Sequence, residues 1–121
     1  MADRCLFVGW GRPVRGREEK AVESFNDIVG LLGRMQQEGR MERFDILFLE
    51  PHGGDLGGCF LLTGTADQLH GIREDEDFQR EMARADLIVD GLGLIDGYTG
   101  EGIASQMEMF TEAVSRVPQN A

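Results

Sequence analysis

Histidine is scarce in this chain, with only His52 and His70 among 121 residues. That leaves no convincing protein-only metal site, since such sites draw on clustered histidine, cysteine and acidic ligands. Cysteine is equally sparse. Cys5 and Cys59 each sit inside an apolar run and form no Cys-x-x-Cys pair, so they read as buried structural thiols rather than a disulfide or metal centre. Positive charge is in deficit: 12 Lys and Arg stand against 22 Asp and Glu, a formal net charge of −10. Such a surface is repelled by phosphate backbones and anionic bilayers, so neither nucleic acid nor a membrane is expected as a partner. No apolar stretch is long enough to span a bilayer. Met1-Ala2-Asp3-Arg4 lacks the basic segment, apolar run and cleavage site of a secretory signal, and a cytoplasmic location is expected. Repeats, low-complexity tracts and linkers are missing too, which predicts one domain over residues 1–121.

Two glycine patterns carry no nucleotide site. Gly91-x-Gly93-x-x-x-Gly97 has the wrong spacing for a dinucleotide fingerprint. Gly53-Gly54-x-x-Gly57-Gly58 lacks the Lys-Ser/Thr ending of a phosphate loop and leads into a strand. The sequence names no cofactor, and none is expected.

What is present is a series of periodic segments punctuated by Gly and Pro. Residues 4–10 (RCLFVGW) form an apolar run that predicts a strand. Over Arg17–Glu38, Ala21, Phe25, Ile28, Leu32 and Met35 recur at helical steps on one face. Met41–Glu50 and Cys59–Thr63 predict a second and third strand, joined as a hairpin through the glycine-rich Pro51–Gly58. Thr65-x-x-Gln68 has the spacing of a capping box and opens a helix carrying Leu69 and Ile72. Asp75 caps a further helical segment carrying Phe78 and Met82. Leu87–Ile95 (LIVDGLGLI) predicts the fourth strand, with Asp90 inside it and Arg4 or Arg12 as its expected ionic partner. Ile103, Met107, Phe110 and Val114 form a last helical stripe.

The order β-α-β-β-α-β followed by one C-terminal helix predicts an α+β ferredoxin-like fold. Its four-stranded antiparallel sheet has the first and third strands in the centre. Alternation places Phe7 opposite Leu6 and Val8, Ile46 and Phe48 opposite Leu47 and Leu49, and Phe60 and Leu62 opposite Cys59 and Leu61. Leu87 and Val89 likewise oppose Ile88 and Leu92. Both sheet faces are therefore apolar, whereas a sheet with one wet side should alternate apolar with polar. The internal helices can cover only one face. A second copy of the chain is the expected cover for the other, in a face-to-face homodimer, with the C-terminal helix as the competing cover.

Three motifs strengthen that reading: Phe7-Val8-Gly9-Trp10; Arg12-Pro13-x-x-Gly16-Arg17-Glu18-Glu19; and Leu69, Arg73, Asp75 and Phe78 in the pattern Leu-x-x-x-Arg-x-Asp-x-x-Phe. Together with the element order they resemble the dimeric α/β-barrel superfamily. The resemblance implies two ferredoxin-like sheets packed face to face, with a pocket between sheet and helices in each subunit. It implies no single activity, because the superfamily spans cofactor-independent oxygenases, haem-degrading enzymes, isomerases and members without assigned activity.

The predicted topology gathers Trp10, Arg12, Arg15, Glu50, His52 and Asp55 at one sheet edge. A histidine between carboxylates can act as a general base, which makes His52, Glu50 and Asp55 the candidate catalytic group. Arg12 and Arg15 beside a helix N-terminus suit an anionic group, and Trp10 offers an apolar wall, so these three are the candidate ligand contacts. The bland reading makes His52 and Asp55 turn residues, the arginines a solvated patch and Trp10 core. Three functions stay open: a homodimer binding a small apolar or aromatic molecule between sheet and helices, an oxygenase or isomerase using His52, and a structural or partner-binding dimer.

Overall fold

The computed structural model describes residues 2–120. Strand β1 (Arg4–Trp10) leads through a turn to helix α1 (Glu18–Gln37), then to β2 (Arg43–Phe48) and β3 (Gly58–Gly64). Helices α2 (Ala66–Glu74) and α3 (Glu76–Asp86) follow, then β4 (Gly93–Tyr98) and α4 (Glu101–Ser115). The sheet order is β2-β3-β1-β4 and every pairing is antiparallel. This is the predicted ferredoxin-like arrangement, with β1 and β3 central and α1, α2 and α3 over one face.

Local chemistry sets the boundaries. Glu18 and Glu19 occupy the first turn of α1 and Arg34 the last, as the helix dipole favours. Thr65 forms the complete capping box with Gln68 at the start of α2. Asp75 ends α2 and caps α3 by accepting the Phe78 amide at 3.0 Å. Arg40 reaches the same carboxylate at 3.0 Å.

The core lies between sheet and helices. Leu6, Val8, Phe60 and Leu62 on the strands meet Ile28, Leu32, Met35, Ile72 and Phe78 on the helices, all buried. On the opposite face, Asp45, Leu61, Phe7 and Ile95 lie in one row across the four strands. Ile95 there is 62% exposed. No helix covers this row among the described residues. Among the described residues, helix α4 packs chiefly against β4, and its one buried residue is Gly102, which sits against the Asp3 carbonyl. Ile103, Met107, Met109 and Phe110 are exposed along α4, so the C-terminal helix does not seal the second face.

The fourth strand differs from expectation. Leu87, Ile88 and Val89 continue the end of α3, their amides donating to the Arg84 and Ala85 carbonyls. Gly91, at φ +66°, then turns the chain, and β4 begins only at Gly93. The opposed sets on this strand are therefore Leu94 and Asp96 against Ile95, and Leu87 belongs to neither. Asp90 lies in the turn and not in a strand. Its backbone oxygen accepts the Gly11 amide at 2.7 Å and its amide donates to the Arg12 carbonyl at 2.8 Å. The expected ion pair of Asp90 with Arg4 or Arg12 does not form; Arg4 instead stacks 4.3 Å over the Tyr98 ring.

Candidate functional site

The end of the sheet where β1 and β2 finish and β3 begins carries an aromatic cluster. Trp10 and Phe48 flank Gly58 in one cross-strand row on the helix side. Any side chain on Gly58 would collide with the indole and with the β2 backbone. A Cβ there would stand 2.8 Å from the Trp10 ring and 2.6 Å from the Leu47 carbonyl oxygen. The glycine thus clears a floor on which the indole lies. Phe60 supports the indole from the next row, with ring centroids 4.9 Å apart. Phe25 on α1 closes the group edge-on to Trp10 at 6.3 Å and stacked on Phe60 at 5.5 Å. Phe48 joins Phe25 at 5.2 Å yet is 69% exposed.

Above this floor is an open cleft of about 470 Å³, within the range of small-molecule sites. Ala21, Val22, Phe25 and Ile28 of α1 form one wall; Met82 and Ala85 of α3, with Val89 and Leu92, form the other. The turn that displaced the fourth strand builds the rim, where Pro13 and Val89 form a β-bridge and the Val14 amide donates to the Ile88 carbonyl at 2.7 Å. Outside the cleft Arg84 of α3 clamps Asp27 of α1 at 2.6 Å, with Glu23 and Glu81 nearby, and the Asp27 bond raises the arginine's pKa further. Among the described lining residues, the polar groups are Glu18, which accepts the Gly16 amide at 2.9 Å, the buried Ser24, and the indole N–H that Trp10 carries.

Among the expected site residues, Trp10 lines the cleft. Arg12 and Asp55 border a separate, more polar depression of about 570 Å³ that touches the other side of Trp10. Arg15 and Glu50 are exposed and line neither hollow. His52 is exposed as well and serves its own loop. Its Nδ1 accepts the Gly54 amide at 3.2 Å, which leaves Nε2–H to donate to the Leu56 carbonyl at 2.7 Å. No hydrogen bond joins His52 to Glu50 or Asp55 among the described residues, and His52 lines neither the cleft nor the polar depression. The carboxylates, the histidine and the cleft are therefore not brought together.

The cysteines lie on the uncovered sheet face, where Cys5 and Cys59 occupy adjacent central strands. Burial pushes the Cys59 thiol pKa up, which suppresses its nucleophilic thiolate. Among the described residues no three His, Cys, Asp or Glu side chains cluster to hold a metal ion. Nor, among the described residues, is any helix long and apolar enough to cross a membrane.

Sequence reasoning missed Phe25, Phe48 and Phe60 as site residues because each fits a core stripe. The available signal was their placement, since β1, α1, β2 and β3 each bring one aromatic ring to the same end.

No protein-family model and no curated protein matches the sequence. Solved structures do. A dimeric protein of unknown function and ferredoxin-like fold from Bacteroides fragilis superposes with a TM-score of 0.57 at 5% identity, covering 79% of this chain and 96% of its own. A dimeric ferredoxin-like protein of unknown function from Jannaschia gives 0.59 at 14% identity, covering 80% and 98%. A protein of unknown function from Bacteroides thetaiotaomicron, described as a possible oxidoreductase, gives 0.60 at 14% identity, again covering 80% and 98%. At these identities the likeness establishes the fold: the chain is ferredoxin-like.

Proposed function

We propose that this chain works as a homodimer and binds a small apolar or aromatic molecule in the cleft between sheet and helices of each subunit. The cleft carries the reading. An opening of about 470 Å³ floored by Trp10, Phe25, Phe48 and Phe60 leaves apolar surface in water that a close-packed core would have removed. Rings from four different elements offer faces and edges to an aromatic guest. Exposed Phe48 at the mouth gains burial when the cleft fills.

The homodimer rests on the second sheet face. Leu47, Phe7, Leu61 and Ile95 present apolar surface that no helix covers among the described residues, and α4 adds Ile103, Met107 and Phe110. A second copy supplies a matching apolar face by symmetry. Two solved proteins of this fold, from Bacteroides fragilis and Jannaschia, are themselves dimeric.

Trp10 is the chain's single tryptophan and lines the cleft, so its emission responds to occupancy there. The test is a titration with N-phenyl-1-naphthylamine, a neutral dye that lights up in apolar sites and accepts energy from tryptophan. The expected result is saturable uptake, one dye per chain, with quenching of Trp10. Ala21→Phe fills the cleft from the α1 wall and abolishes both signals. Uptake that does not saturate, or that survives Ala21→Phe unchanged, refutes the proposal.

A further inference from the structure

Ser24 stands in the wrong company for a serine. It lies on the inward stripe of α1 with Ala21, Phe25 and Ile28, is only 3% exposed, and lines the apolar cleft. Serine in a helix ordinarily returns its proton to a carbonyl one turn back. Here the Oγ has no hydrogen-bond partner among the described residues. A buried hydroxyl left unpaired is destabilising, and an alanine at this point would fill the stripe without that cost.

We infer that Ser24 is the polar anchor of the cleft, and that the ligand is a neutral aromatic molecule carrying one hydroxyl or carbonyl group. This rests on the binding role of the cleft and adds the chemistry of its occupant. The rest of the lining leaves few options. Apart from Ser24 and the Trp10 indole, whose N–H can only donate, the polar lining side chain is Glu18, whose carboxylate disfavours an anionic guest. The other lining side chains offer faces, edges and methyl groups, which hold a ring but do not orient it. A single hydroxyl, able both to donate and to accept, fixes one substituent of that ring. Turning Ser24 Oγ about the Cα–Cβ bond toward a guest breaks no existing hydrogen bond.

The test compares two probes that differ by one oxygen, naphthalene and 2-naphthol, each displacing N-phenyl-1-naphthylamine from the wild type and from Ser24→Ala. The hydroxyl's contribution is read as the ratio of the two affinities. In the wild type 2-naphthol is expected to bind about five- to tenfold tighter than naphthalene, the effect of one net hydrogen bond, and in Ser24→Ala that preference disappears. The unliganded variant should melt at or above the wild-type temperature, since it loses only an unpaired group. Three results overturn the inference. The preference survives in Ser24→Ala, the wild type shows no preference, or both probes weaken equally in the variant, which would make Ser24 a packing residue. In each of these the cleft remains a binding site. If neither probe displaces the dye from the wild type, the binding role of the cleft falls and the anchor falls with it.

Discussion

Replacing Ile95 by glutamate strikes the uncovered sheet face at its most exposed apolar side chain. Ile95 keeps 62% of its surface in water in the single chain, beside Phe7 on the next strand. Full burial of an isoleucine is worth about 1.5–3 kcal/mol, so covering this remainder contributes about 1–2 kcal/mol per copy. Two-fold symmetry places the residue twice in a dimer. The variant should therefore lose about 2–4 kcal/mol of association energy, raising the dissociation constant about 30- to 1,000-fold before any carboxylate burial is added. Folding should be spared, because Ile95 lies outside the core on an edge strand. Sedimentation velocity over a dilution series reads the change as a shift from twice the chain mass to the single-chain mass. Leu87→Glu is the control: Leu87 is 69% exposed, but it follows α3 on the helix layer, and its variant should remain dimeric. The reasoning is refuted if the wild type sediments as one chain at tens of micromolar. It is refuted equally if the Ile95 variant dimerises as the wild type does.

Two further outcomes follow from the local chemistry. Asp75→Ala removes the α3 cap and the partner of Arg40, and should cost about 1–2 kcal/mol in urea denaturation near neutral pH. The Phe78 amide, chiefly, and then Arg40 hold the Asp75 carboxyl below its ordinary pKa against the opposing effect of burial. A folded-state value below the unfolded one stabilises the fold above the unfolded carboxylate range, and this contribution is lost as pH falls through the folded value. The gap between wild type and variant should therefore narrow as pH drops below about 4, and a constant gap would count against the assignment. Gly58→Ala forces a methyl group against the Trp10 ring, and should destabilise by about 1–3 kcal/mol and shift the tryptophan emission maximum. An unchanged spectrum would show that the glycine does not position the indole.

Much of the fold was legible because its signals are local. Apolar runs ending in Gly or Pro marked the first three strands, and the steps from Ala21 to Met35 marked α1. Thr65 and Asp75 announced two helix starts by capping chemistry alone. The fourth strand was misplaced because Leu87-Ile88-Val89 is as apolar and branched as any strand. Its fate was decided by the carbonyls of Arg84 and Ala85, which draw those amides onto the end of α3, and by the left-handed turn at Gly91. The cleft was less legible. An aromatic ring beside a void and one inside a packed core have the same sequence signature, and only register shows that Trp10, Gly58 and Phe48 share a row. His52 drew attention as a loop histidine between acidic residues. The loop instead uses both ring nitrogens to hold its own shape.

The position of β1 bears on how the molecule is made. Its two neighbours, β3 and β4, leave the ribosome long after it does, so this central strand waits longest for its pairings. Val8 must find Phe60 and then Leu94, closing two large loops in turn. Maturation should be slow for a chain of this size, limited by non-local pairing rather than by helix formation. Until β4 docks, the greasy flank of β1 is open to wrong partners, which makes the unfinished polypeptide the form most in need of a chaperone.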